Sequence, residues 1–115
     1  MVVDVRSRAR LESFTTKDGS TIREYLHTER QSLAEATLEP GQATERHYHR
    51  LSEEIYLLLD GGGSMEVDGA VSDVGRGDAV LIPPEAWHAL RAGPEGVRLL
   101  CMCAPPYTHG DTYFA

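Results

Sequence analysis

Short apolar blocks and alternating apolar and polar positions run along almost the whole chain, and Gly, Pro and Asp interrupt them every few residues. No stretch holds a 3.6-residue period over three turns, so the pattern predicts strands rather than helices. Segments 10–14 and 21–26 flank the polar turn Lys17-Asp18-Gly19 and read as an N-terminal hairpin. Segment 32–38 follows, closed by Pro40-Gly41. Further strands are expected at 47–49, 55–59, 64–67, 70–74, 79–82, 88–91 and 97–103. Asp68-Gly69 has the form of a tight hairpin turn, while 60–63, 75–78 and 93–96 read as glycine-bearing turns. Pro83-Pro84 stops its strand, because proline cannot donate to a ladder. Roughly ten short strands joined by short turns predict an all-β jelly-roll or barrel. The closing stretch 104–112 is irregular and polar and is placed as a cover over one mouth of the barrel.

Length and charge narrow the picture. At 115 residues the chain fits one domain, 1–115, with a single core. The formal net charge is −7, and the eleven Lys and Arg are scattered, which argues against nucleic acid or an anionic membrane as partner. The first residues carry early charge and no apolar run, so neither a signal peptide nor a spanning helix is predicted, and the expected location is cytoplasmic. Cys101 and Cys103 share one face of a strand, a poor geometry for a disulfide, and are read as free thiols facing the barrel interior.

The chemistry concentrates between Gly41 and His88. On a strand, His47 and His49 project side by side from one face. Glu54 opens the apolar run that follows, and His88 comes after the strand 79–82 and its proline loop. Three imidazoles and one carboxylate suit a single divalent transition metal: Fe, Mn, Co, Ni, Cu or Zn.

These residues resemble the two motifs of the cupin superfamily, in particular its small bacterial single-domain members. The first motif, at 41–61, is complete: Gly41, His47, His49, Glu54 and Gly61 stand at its five positions, and the spacing selects Glu54 over Glu53. In the second, at 77–92, Gly77, Pro83 and His88 match, while Glu85 stands in place of Gly and Ala92 in place of Asn. A backbone conformation that suits Gly suits Glu85 poorly. The resemblance implies a cupin jelly-roll, or double-stranded β-helix, holding the metal on His47, His49, Glu54 and His88.

By strand parity Tyr56 and Leu58 share the face of Glu54, and Leu90 that of His88. With Arg98 outside, Val97, Leu99, Cys101 and Cys103 turn inward. The expected substrate pocket is therefore Tyr56, Leu58, Leu90, Leu99 and Cys101, with Tyr56 and His109 as proton-transfer candidates. The resemblance implies a metal-dependent enzyme on a small organic molecule, favoured as a dioxygenase. A non-redox Lewis-acid isomerase or cyclase is one alternative, and a ligand-binding sensor without catalysis is another. The expected assembly is a homodimer in which the N-terminal hairpin adds strands to a neighbour.

Overall fold

The computed structural model describes residues 2–115. Among them are nine strands: β1 (Phe14–Thr15), β2 (Thr21–His27), β3 (Ser32–Leu38), β4 (His47–His49), β5 (Glu53–Val67), β6 (Ala70–Gly75), β7 (Ala79–Ile82), β8 (His88–Ala104) and β9 (Thr112–Phe114). All pair antiparallel in one curled sheet, in the order β1-β2-β3-β8-β4-β9, with β5 joining β6, β7 and β8. Two single turns of 3-10 helix, Arg8–Arg10 and His109–Asp111, complete the regular structure. No helix among the described residues is long and apolar enough to cross a membrane.

The sheet is all-β as the alternation predicts, but two expected turns are not turns. Segments 55–59 and 64–67 fuse into β5, and 88–91 and 97–103 fuse into β8. These two long strands pair with each other from Glu53↔Ala104 to Val67↔His88. Between Gly61↔Val97 and Gly63↔Ala92 the register slips, so that 93–96 bulges out of β8 instead of ending it. Glycine permits the crossing at the closest points. A Cβ on Gly61 would strike the carbonyl oxygen of Gly96, and one on Gly63 that of Arg91.

Both ends of the chain differ from expectation. The strand predicted at 10–14 shrinks to Phe14–Thr15, preceded by the turn Arg8–Arg10. The tail predicted as irregular contains β9, which pairs with β4 through His47↔Phe114, Tyr48↔Tyr113 and His49↔Thr112. Three residues are too few to display a period-two alternation, so this strand left no pattern to read.

Inward residues of β3, β5, β7 and β8 form the core. Leu38, Leu58, Ile82, Leu90 and Leu99 are its most buried apolar members. Burying side chains of this size stabilises the fold by roughly 1.5–3 kcal/mol each. At one end the core gives way to polar residues, and the histidines lie there.

Candidate metal centre

The pairing His47↔His88 sets two imidazoles side by side across the β4–β8 ladder, and the strand period brings His49 to the same face. The ring centroids of His47 and His88 are 4.2 Å apart, those of His47 and His49 5.1 Å, and those of His49 and His88 5.5 Å. One donor atom from each of the three lies within 4.8 Å of the other two. All three residues are buried.

The outer nitrogen of each ring is already engaged. His47 Nδ1 donates to the Glu45 carbonyl at 2.7 Å and His88 Nδ1 to the Ala86 carbonyl at 3.0 Å. His49 Nδ1 faces the Asp111 carbonyl and the Thr112 hydroxyl, both at 3.3 Å. A carbonyl accepts only, so these contacts place the proton on Nδ1 and leave the Nε2 lone pair for a cation.

Glu54 is the fourth donor. Parity along β5 turns it inward, 4% exposed, and leaves Glu53 outside. Its Oε1 lies 3.5 Å from His49 Nε2 and 3.4 Å from His88 Nε2. Neither contact has hydrogen-bond geometry. Among the described residues Glu54 Oε1 and His88 Nε2 are buried polar atoms without a partner, a combination that costs about 1–3 kcal/mol per group unless a ligand satisfies them. Two orphaned donors converging beside two more imidazole nitrogens fit a divalent transition metal.

The electrostatics agree. Burial alone would raise the Glu54 pKa, but the imidazoles of His49 and His88 outweigh it and hold the carboxyl well below the usual range. Burial opposes charge on His49 as well, yet Glu54 wins and lifts its pKa. His47, farther from the carboxylate, is pushed down by burial and by His88. The carboxylate thus draws positive charge into the space between the rings, which a proton or a metal ion supplies.

A cavity opens beside this cluster, walled by His47, His49, Glu54, Tyr56, Leu90, Leu99, Cys101, Cys103 and Tyr107. Burial, then the charge of Glu54, pushes the Tyr56 phenol and the Cys101 thiol well above their ordinary pKa. Cys103 donates to Glu54 Oε2 at 3.2 Å, which fixes the oxygen that does not face the histidines. Both cysteines are free thiols.

Two expected site residues lie elsewhere. Leu58 has the predicted inward parity but packs in the core and does not line the cavity. His109 is exposed in its short helical turn and is not part of the cavity wall. Its neighbours take the tail's place in the site. Tyr107 lines the cavity, and Asp111 accepts hydrogen bonds from the backbone N–H groups of Arg50, Leu51 and Ser52. Asp18 also reaches the wall, its Oδ2 4.0 Å from His47 Nε2. Neither Asp18 nor Asp111 has a motif spacing to the histidines; only the acid in each turn-like segment hinted at a local role.

A family profile described as a cupin domain matches residues 34–103. The chain is 42% identical over 109 residues to the uncharacterised protein MJ1618 of Methanocaldococcus jannaschii, covering 90% of this chain and 87% of that protein. It is 33% identical over 86 residues to the L-ectoine synthase of Bordetella avium, covering 73% of this chain and 64% of the synthase. Over 66 residues it is 39% identical to the dimethylsulfoniopropionate lyase DddW of Ruegeria pomeroyi, which is 57% of this chain and 43% of the lyase. The chain thus spans less than two thirds of both named enzymes. Among solved structures, the Streptomyces nucleoside dehydratase Pac13 superposes with a TM-score of 0.82 at 16% identity, covering 99% of this chain and 92% of that one. With the profile spanning both histidine motifs and the same curled sheet in its structural neighbour, the chain belongs to the cupin family.

Proposed function

We propose that this cupin is a metal-dependent enzyme that carries out non-redox proton-transfer chemistry on a small organic molecule. The observation that carries the proposal is the orphaned pair Glu54 Oε1 and His88 Nε2, buried beside His47 and His49 at the wall of a cavity. His47, His49, Glu54 and His88 would hold one divalent transition metal. When bound, such an ion supplies a Lewis acid for a substrate oxygen.

The chain's own residues supply the rest. Burial keeps the Tyr56 phenol protonated, so it serves as a hydrogen-bond donor and acid toward a ligand in the cavity. Tyr107, half-buried and also raised in pKa by burial, offers a second phenol. Leu90, Leu99 and Cys101 form an apolar wall that excludes water from the reacting groups. A cavity of about 60 Å³ admits only a small ligand or the reactive end of a larger one. A lyase and a synthase among the similar proteins favour chemistry of this non-redox kind, while a gentisate 1,2-dioxygenase of Aquipseudomonas alcaligenes, matched over 43% of this chain, keeps the dioxygenase reading as the alternative. The dioxygenase reading draws on the same donor set, since imidazole and carboxylate also suit Fe(II).

Elemental analysis of protein purified without added metal or chelator tests the site. A near-stoichiometric divalent metal is expected in the parent and in Glu53→Ala, with loss in His88→Ala and Glu54→Ala. Metal retained in full by His88→Ala would overturn the proposal. Oxygen uptake on Fe(II)-loaded protein with candidate substrates separates the two chemistries; a substrate-dependent uptake selects the dioxygenase.

A further inference from the structure

The cavity is lopsided in charge. Asp18, Glu24 and Glu54 line it, and no Lys or Arg does among the described residues. Lys17, adjacent to Asp18 in sequence, points instead over the Phe114 ring, 5.8 Å from its centroid. The two oxygens of Asp18 are used differently. Oδ1 accepts from the Thr16 hydroxyl at 2.6 Å, the Ser20 backbone N–H at 2.9 Å and the Ser20 hydroxyl at 2.6 Å. Three donors fix the carboxylate in one orientation. Oδ2 has no hydrogen-bond partner among the described residues and stands 4.0 Å from His47 Nε2, one of the nitrogens left free for a cation. The turn carrying Asp18 is itself tied to β4's approach, because the Glu45 N–H donates to the Asp18 carbonyl at 2.8 Å. Glu24 sits farther out, where its Oε2 meets His27 Nδ1 at 3.2 Å.

We propose that Asp18 is the anionic subsite of this cavity and selects a small substrate that carries a protonated amine alongside an oxygen donor. The inference rests on the site proposed above: the oxygen donor belongs to the histidine end, and the ammonium to Asp18 Oδ2, a few bonds away. An ammonium offers N–H donors to that oxygen and gains a charge-assisted hydrogen bond. A second anionic group on the ligand would instead meet Asp18 and Glu24 with no cation to offset them. Asp18 is therefore a specificity-determining residue that sorts ligands by charge.

Three probes of one size test this: 2-aminoethanol, ethane-1,2-diol and glycolate, which present a cation, a neutral group and an anion on the same two-carbon frame. Each is titrated into ¹⁵N-labelled protein before and after metal loading, following the amides of residues 16–20 by NMR. The parent is expected to bind 2-aminoethanol at least about tenfold more tightly than glycolate, the ratio that about 1.4 kcal/mol supplies. Asp18→Asn keeps Oδ1 for Thr16 and Ser20 and removes only the charge, so metal content is unchanged and the preference collapses. Glu24→Gln, at the rim, retains most of it. Equal or tighter glycolate binding by the parent, no binding of any probe, or an undiminished preference in Asp18→Asn would overturn the proposal. Because charge selection by Asp18 does not require metal, a parent that takes up none yet prefers 2-aminoethanol would sink the metal site and leave this inference standing.

Discussion

Glu85 occupies the left-handed region, φ +69°, at the position of the second motif where this chain replaces the family's Gly. A side chain there costs about 1–2 kcal/mol. The strain is held in place because the Glu85 N–H donates to the His49 carbonyl at 2.7 Å, which ties the proline loop to the metal strand. Glu85→Gly should remove that strain at the expense of a floppier unfolded chain, for a net gain of about 0.5–1 kcal/mol and a higher Tm by calorimetry. An unchanged or lower Tm would show that the side chain itself contributes an offsetting contact. At this scale the sequence was readable where chemistry has a spacing. His47, His49, Glu54 and His88 are linked by strand period and motif gaps, and they converge. Asp18 and Tyr107 come from distant turns, and nothing local to them records which cavity the fold will bring them to.

At the scale of elements, the period-two pattern located β2, β3, β4, β6 and β7 to within a residue or two. It could not reveal that β5 and β8 run on through their glycines, since the same residues that permit a turn also permit a bulge inside a strand. Nor did it find β9, whose partner lies far away in sequence. Yet β9 and the turn before it support β4 directly. Tyr113 stacks on Tyr48 at 5.0 Å between ring centroids, and the Asp111 carboxylate gathers three backbone N–H groups of the turn between β4 and β5. Asp111→Ala should strand those donors and cost about 2–3 kcal/mol in denaturant unfolding. It should also weaken metal retention by about 10–100-fold, because the same segment presents the acceptors for His49 Nδ1. Stability lost with metal affinity intact would mean that His49 is held by other contacts.

Across the whole molecule, the outer face of the sheet carries an apolar row that no inner packing explains. The registers place Leu26 beside Leu33, Leu33 beside Met102, Met102 beside Ile55, and Ile55 beside Leu81, one residue on each of five neighbouring strands. Ile55 is 37% and Leu81 57% exposed. A continuous row of this kind suits an association surface, and we propose that a two-fold partner covers it with the same row. Light scattering is expected to find a homodimer for the parent and a folded monomer for Ile55→Glu; a monomeric parent would leave the row to solvent. Beyond Ile22 the outer edge of β2 pairs with no strand among the described residues, so the hairpin edge stays on offer to a neighbour beside this face. The nested pairing of β5 with β8 has a consequence for the order of assembly. Contacts near Val67 and His88 close a short loop, those near Glu53 and Ala104 a long one, and β4 meets β9 only when the tail arrives. Loop-closure entropy therefore favours zipping outward from the β6 hairpin, with the histidine strand docking late. A metal that needs all four ligands would then act on the finished fold: its arrival would slow unfolding while leaving the rate of folding nearly untouched.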